Sequence, residues 1–145
     1  MIRKATTSDI DSLNRLFDLY RVFYNQERNL EASKSFLLAR FENEDSKIFV
    51  AEDSGILVGF VQLYPIFSST QMKRLWLLND LFVDERFRGK GYSKSLIVAA
   101  KDLAIETNSA GLMLETDKSN LVGNNLYPSV GFNLDKTHNY YFWTN

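Results

Sequence analysis

Leu81-Phe82-Val83-Asp84-Glu85-Arg86-Phe87-Arg88-Gly89-Lys90-Gly91-Tyr92-Ser93 is the stretch that decides how this chain is read. It starts as an apolar strand and passes through a short loop in which glycines alternate with cations. A helical pattern follows at once, with Leu96, Ile97, Ala100, Leu103 and Ala104 at helical spacing. Strand, glycine loop and helix in that order aim backbone N–H groups at an anion, with the positive end of the helix dipole behind them. The loop therefore reads as a phosphate cradle. It is not a Walker loop, because no Gly-Lys-Ser/Thr run exists. It is not the dinucleotide fingerprint either, because Lys94 stands three residues after Gly91.

What stands is Arg86-x-x-Gly89-x-Gly91, which resembles the R/Q-x-x-G-x-G/A loop of the GNAT-superfamily N-acetyltransferases. Further along, Asn120-Leu-Val-Gly-Asn-Asn-Leu126-Tyr127-Pro-Ser-Val-Gly131-Phe132 is similar to that family's second signature, N-x-x-A-x-x-L-Y-x-x-x-G-F. Two motifs in the expected order are far more specific than either alone. The resemblance runs along essentially the whole chain, most closely from Leu75 to Phe132. It implies one N-acetyltransferase domain over residues 1–145, of the small type similar to histone and polyamine acetyltransferases. The implied α/β fold is a central, mostly antiparallel sheet flanked by helices.

The residues on their own point to the same order of elements. Ile2 to Ala5 reads as a strand. Thr7-Ser8-Asp9 offers helix caps, and Ile10, Leu13, Phe17, Tyr20 and Tyr24 step at helical spacing to about Tyr24. Asn25 to Asn29 breaks that helix, and a second runs from Glu31 to near Asn43. Lys47–Glu52 and Ile56–Leu63 flank Asp53-Ser54-Gly55 as a hairpin. Pro65 either ends the second strand or lies on its edge. Ser68 to Gln71 is a loop, and Leu75 to Val83 is the strand that feeds the phosphate loop. Gly111 to Glu115 reads as a strand, Asn120 opens a helix that Gly131 stops, and Asn139 to Trp143 reads as a final strand. That last strand pairs either within the sheet or at a dimer contact.

For the site, the resemblance implies acetyl-coenzyme A as cosubstrate. N–H groups from Arg88 through Ser93, namely Arg88, Gly89, Lys90, Gly91, Tyr92 and Ser93, would wrap its pyrophosphate, with Arg86, Arg88 and Lys90 adding charge. The strand end Leu81, Phe82 and Val83 would meet the pantetheine arm and acetyl carbonyl through its backbone, and Asn120 would hydrogen-bond the same arm. Tyr127 is the candidate general acid for the leaving thiolate. Asp80 is the candidate base, with Glu115 an alternative and Glu27 a lining of the acceptor pocket. Each has a plainer reading beside it: Asn120 as a helix cap, Tyr127 as a packed aromatic, Asp80 as an orienting side chain. Tyr20, Tyr24, Phe67, Trp76, Tyr140, Tyr141, Phe142 and Trp143 divide between core and an amine-binding slot, with core the better assignment for most.

Composition removes other classes. The 145 residues carry a formal net charge of -1 and no cysteine. Such a chain has no excess of positive charge to hold a polyanion, and Asp84 and Glu85 directly precede the basic cluster Arg86, Arg88, Lys90 and Lys94. No apolar run approaches the roughly 20 residues of a membrane span. Without cysteine there is no disulfide framework and no acetyl-cysteine intermediate. If the chain moves acetyl groups, as the resemblance implies, the simplest route runs directly from thioester to amine in a ternary complex. The only histidine, His138, has no Ser-His-acid grouping around it, and no metal-ligand spacing exists. The expectation is a cytoplasmic enzyme (a nuclear one is not excluded) acting on a small-molecule or peptide amine, with neither nucleic acid nor membrane as partner. The alternative is a non-catalytic acyl-CoA sensor. The acceptor's identity is not in the sequence.

Overall fold

The apolar runs read as strands become the centre of a five-stranded sheet. A computed structural model describes all of residues 1–145 and divides them into two compact units, Met1–Glu115 and Thr116–Asn145. In the first unit the strands are β1 (Ile2–Lys4), β2 (Lys47–Asp53), β3 (Ile56–Ser68), β4 (Lys73–Val83) and β5 (Leu112–Met113). They lie in the order β1-β2-β3-β4-β5. Every pairing is antiparallel except β4 with β5, which is parallel. This mixed, mostly antiparallel sheet is the predicted architecture.

Three helices belong to this unit: α1 (Ile10–Phe23), α2 (Leu30–Glu42) and α3 (Tyr92–Glu106). Ile48 to Ala51 and Leu57 to Leu63 are continuously buried, the pattern of strands covered on both faces. Because strand side chains alternate, Ile48 and Val50 enter the cluster of Leu13, Leu16, Phe17 and Leu37 from α1 and α2. Phe49, between them, lies instead beside Val98, Ala99 and Leu103 of α3. Helices thus cover both faces of the sheet. Ser54 (φ 53°) and Gly55 (φ 80°) form the two-residue turn between β2 and β3, the geometry that matches strand twist in a tight hairpin.

Asp18 organises the connection from α1 to α2. Its carboxylate is fully buried, accepts from Arg28 Nε at 2.7 Å and from the Asn29 amide at 2.9 Å, and Asn29 in turn caps α2 through the Ala32 amide. The polar stretch that breaks the helix pattern is therefore an ordered link.

Two features of β3 and β4 position the site. The first concerns Pro65. β3 does not end there but continues to Ser68, and its pairing with β2 stops at Leu63. Pro65 pairs with Trp76 of β4 while its other side has no strand, so its missing N–H is on the free edge. The second is a bulge: Gln62 pairs with Asp80 and Leu63 with Leu78, leaving Asn79 as the extra residue of β4. A bulge bends its strand and increases local twist.

That bend accounts for one departure from expectation. β5 pairs with β4 only at Trp76 and Leu77, just short of the bulge, so the strand expected over Gly111 to Glu115 is reduced to Leu112–Met113. A second departure lies in the other unit. There α4 (Leu121–Ser129) forms as read, but residues 133–145 contain no strand. The Asn139–Trp143 run does not pair within the sheet, and without a neighbouring strand its backbone has no ladder to join. No helix is long and apolar enough to cross a membrane.

Candidate active site

The loop between β4 and α3 is built around Asp84. Its side chain accepts from the Arg86 amide at 3.2 Å and so turns the chain into the single helical turn Glu85–Phe87. The Arg86 guanidinium returns to the same carboxylate, Nε at 3.1 Å and Nη2 at 2.8 Å. Arg15 of α1 adds a fourth bond at 3.0 Å and also donates to the Leu57 carbonyl. Arg86, seconded by Arg15, holds the buried Asp84 carboxyl well below the usual carboxylate range. The Arg86 side chain is thus a brace for the loop. Arg88 donates to the Val83 carbonyl at 3.0 Å, and Lys90 lies 3.4 Å from Asp53. Tyr92 also bonds Asp53.

With these side chains turned to the protein, the loop leaves its backbone as the part open to a ligand. Gly89 (φ 79°) and Gly91 (φ 86°) both sit in the left-handed region, and nothing lies within 4 Å of where a Cβ would stand on either. The glycines therefore serve two ends, a backbone path that side chains resist and open space beside it. Gly91 caps α3, whose first turn contains no acidic residue. The leading N–H groups of a helix have no intrahelical acceptor, so those around Tyr92 and Ser93 are available to an anion. Open N–H groups of this kind fit a pyrophosphate, whereas the Arg88 amide is already taken by the Glu85 carbonyl at 3.3 Å.

Asp80 lies at the bulge. Its carboxyl is 3% exposed, and every donor to it is neutral: Gln62 Nε2 at 2.6 Å, Asn79 Nδ2 at 2.9 Å and the Tyr20 hydroxyl. Burial pushes its pKa up, against the pull of these three donors. A buried acid held by neutral donors keeps its proton to higher pH than a free carboxylate does. Tyr64, on the same strand as Gln62, is kept protonated by burial and by the nearby Asp80 charge.

Past the bulge, Leu81, Phe82 and Val83 pair with β3 on one side only. Their other edge is free of any strand, which suits backbone bonding to an extended ligand arm. The side chains of Phe82 and Val83 are core, and that of Leu81 is half-buried.

In the second unit, Asn120 is the cap of α4. Its Oδ1 accepts from the Gly123 amide at 3.1 Å and its Nδ2 donates to Thr116 Oγ1 at 2.9 Å. Tyr127 follows on the same helix, with its ring edge-on to Phe132 at 5.8 Å. Gly123 is small for a reason: a Cβ there would meet Asn120 Nδ2 at 2.6 Å and the Tyr127 ring at 3.3 Å. Glu115 and Glu27, the lesser acid candidates, are both exposed. His138 bonds Asp135 in a local turn.

Sequence reasoning missed two participants. In the sequence Asp84 is only a neighbour of the basic cluster, whereas in the structure it holds the loop's shape. Gln62 was not singled out, although it left a signal: it is the one amide in the apolar run from Leu57 to Leu63.

Comparison with known proteins agrees with this geometry. The profile of the Acetyltransferase (GNAT) family matches residues 13–132. The "Uncharacterized N-acetyltransferase YhfO" of Bacillus subtilis is 45% identical over 134 residues, 92% of this chain and 90% of that protein. A "Probable acetyltransferase" of Haemophilus influenzae is 35% identical, covering 91% and 89%. A crystal structure of "a probable acetyltransferase", 36% identical, superposes with a TM-score of 0.95 over 100% of this chain and 97% of its own. A glycine cradle at a helix start, a bulged strand with a buried acid and relatives matched nearly end to end agree: this chain belongs to the GNAT family and is an N-acetyltransferase.

Proposed function

We propose that the chain works as one catalytic domain that moves an acetyl group directly from acetyl-CoA to a primary amine in a ternary complex. GNAT acetyltransferases use acetyl-CoA as cosubstrate. When bound, it supplies an activated thioester. The observation that carries the proposal is the open, doubly glycine-lined cradle at the start of α3, next in the chain to a strand edge left unpaired. The cradle N–H groups bind the pyrophosphate, and the free edge of Leu81 to Val83 orients the arm. An amine such as lysine, with a pKa near ~10.4, costs roughly 4–5 kcal/mol to deprotonate at pH 7. Asp80 accepts that proton, directly or through water. Tyr127 is the donor to the departing thiolate, and Asn120 orients the pantetheine arm.

The acceptor class is a small amine, an amino acid or a protein amine. Relatives support that breadth. One is a D-amino-acid N-acetyltransferase of Saccharomyces cerevisiae (26% identical, covering 94% of this chain), and another acetylates the alanine of ribosomal protein bS18 in Haemophilus ducreyi (38% over 65 residues). A homodimer in the cytoplasm completes the reading.

Calorimetric titration with acetyl-CoA, with ATP and NADH as controls, tests the cradle. Selective binding of acetyl-CoA followed by thiol release on adding amines supports the enzyme. Selective binding with no turnover on any amine leaves a sensor, and absence of binding overturns both. Tyr127→Phe tests the acid. Turnover is expected to fall about 100-fold or more, the scale of a lost general acid, with the KM for acetyl-CoA little changed. Unaltered turnover would remove the hydroxyl from the chemistry.

A further inference from the structure

Asp80 is well placed to hold a proton and poorly placed to collect one. It is buried, and a base must come within hydrogen-bond reach of the proton it removes. An amine arriving from solvent therefore meets one of the groups around Asp80 before it meets the carboxylate. Those groups are the side-chain amides of Gln62 and Asn79 and the hydroxyl of Tyr20. An amide NH2 only donates, whereas a hydroxyl donates one proton while its oxygen accepts another. Among the donors to Asp80, Tyr20 alone can pass a proton on.

Its position suits that task. Tyr20 lies in the last turn of α1 and is half-buried, so it bridges the buried acid and the surface. Its ring is held edge-on to Tyr24 at 5.0 Å, Phe60 at 5.9 Å and Phe82 at 6.4 Å. The hydroxyl oxygen stands 3.3 Å from the Asn79 carbonyl oxygen and also bonds Asp80. One proton serves one acceptor at a time, so the O–H has two directions to choose from. Turned to Asp80, it leaves the oxygen's lone pairs to an incoming amine. Turned to the Asn79 carbonyl, it lets a protonated Asp80 donate back to it. Both ionisation states of the acid therefore find a partner in the same hydroxyl.

We infer that the Tyr20 hydroxyl relays the proton of the acceptor amine to Asp80. The inference rests on the reading of Asp80 as the base. As the amine arrives, an N–H bond of its ammonium breaks and that proton forms an O–H bond at Tyr20 Oη. The proton that Tyr20 held moves to the Asp80 carboxylate. The electron pair of the broken bond stays on nitrogen for attack on the thioester. Ammonium and carboxylate are both neutralised, and Tyr20 begins and ends neutral. Tyr64 of β3 is the other phenol that feels the Asp80 charge, but it is not among the donors to the carboxyl. Arg40 and Asp45 act on Tyr64 in opposite senses, and no charged side chain is a partner of Asp80.

Tyr20→Phe removes the hydroxyl and keeps the ring. Turnover is followed against pH for wild type, Tyr20→Phe, Asp80→Asn and the double variant, each at saturating acetyl-CoA. Above the Asp80 inflection, the plateau of Tyr20→Phe is expected to fall roughly 100-fold or more, the scale of a lost proton-transfer group. Its acetyl-CoA affinity and melting temperature should stay near wild type, which shows that the chain remains folded. The double variant should be no slower than Asp80→Asn alone, because two groups on one proton path are not additive. A Tyr20→Phe profile that only moves to higher pH and regains the wild-type plateau overturns the relay, since the hydroxyl then merely steadies the carboxylate. A double variant slower than Asp80→Asn by the whole Tyr20 factor overturns it too, because Tyr20 would act apart from Asp80. Should Asp80→Asn itself keep full turnover, the base reading fails and the relay with it. Impaired Asp80→Asn beside an unimpaired Tyr20→Phe sinks the relay alone.

Discussion

Gly91→Asp is expected to raise the dissociation constant for acetyl-CoA about 1,000-fold beyond that of Gly91→Asn, which itself raises it about tenfold or less. Gly91 sits at φ 86° with open space where a Cβ would project. Any side chain there enters phosphate space and bears the strain of the left-handed region, about 1–2 kcal/mol, a region Asn and Asp both visit more readily than other residues. The two variants share shape and strain, so their difference isolates charge. A carboxylate about 4 Å from a phosphate oxygen loses ~4 kcal/mol at the effective dielectric of a protein surface, equivalent to the ~1,000-fold change. Calorimetry on both variants, with melting temperatures measured alongside, decides the matter. Equal affinities for Asp and Asn would mean that no phosphate lies against Gly91.

Asp80→Asn is expected to lower turnover about 100- to 10,000-fold, the range spanned by loss of a general base, while leaving acetyl-CoA affinity nearly intact. The fold should tolerate it. The Gln62 amide now donates to Asp80 at 2.6 Å and leaves its own Oε1 buried without a partner. If that amide turns over, Oε1 accepts from the new amide, so the exchange costs no net hydrogen bond.

The pH dependence follows from the direction of the Asp80 shift. Burial raises its folded pKa, so the unfolded chain releases this proton at lower pH than the folded one. Asp80 then favours unfolding increasingly as pH climbs from the ordinary carboxylate value, ~3.9, to the raised value, and by a constant amount above it. The melting temperature of Asp80→Asn relative to wild type should therefore be higher at pH 8 than at pH 4. Wild-type turnover should rise with pH through the same ionisation, an inflection the variant lacks. Turnover unaffected by the change would exclude Asp80 as base. A collapse of turnover together with a lower melting temperature would instead make it a structural residue.

Most of the fold was legible because its signals are local. The hairpin announces itself through Asp53-Ser54-Gly55, α1 through its apolar steps, and α3 through the run that follows Gly91. The elements that failed to match depend on neighbours distant in sequence. β5 is cut to Leu112–Met113 because its partner strand bulges at Asn79, and nothing within Gly111 to Glu115 reports a bulge in β4. Residues Asn139 to Trp143 have a strand's composition, yet a strand forms only where another backbone offers its hydrogen bonds.

The site divides in the same way. Arg86, Gly89 and Gly91 could be placed in the loop from sequence alone, because phosphate cradles are contiguous in the chain. The direction in which Arg86 points could not, since the Asp84 carboxylate competes for it and Arg15 of α1 arrives from elsewhere to complete the cluster.

By itself, then, the sequence determined the order of strands and helices as far as α4, the glycine loop between β4 and α3, and the family. These rest on turn geometry, side-chain period and glycine placement, each set within a few residues. Only the tertiary structure decided that Asp80 is buried among neutral donors from Gln62, Asn79 and Tyr20, that Arg86 braces a loop, and that the aromatic tail stands open. Those properties are desolvation, ion pairing and exposure. They belong to the surroundings that distant parts of the chain create around a residue, and not to the residue or its neighbours in sequence.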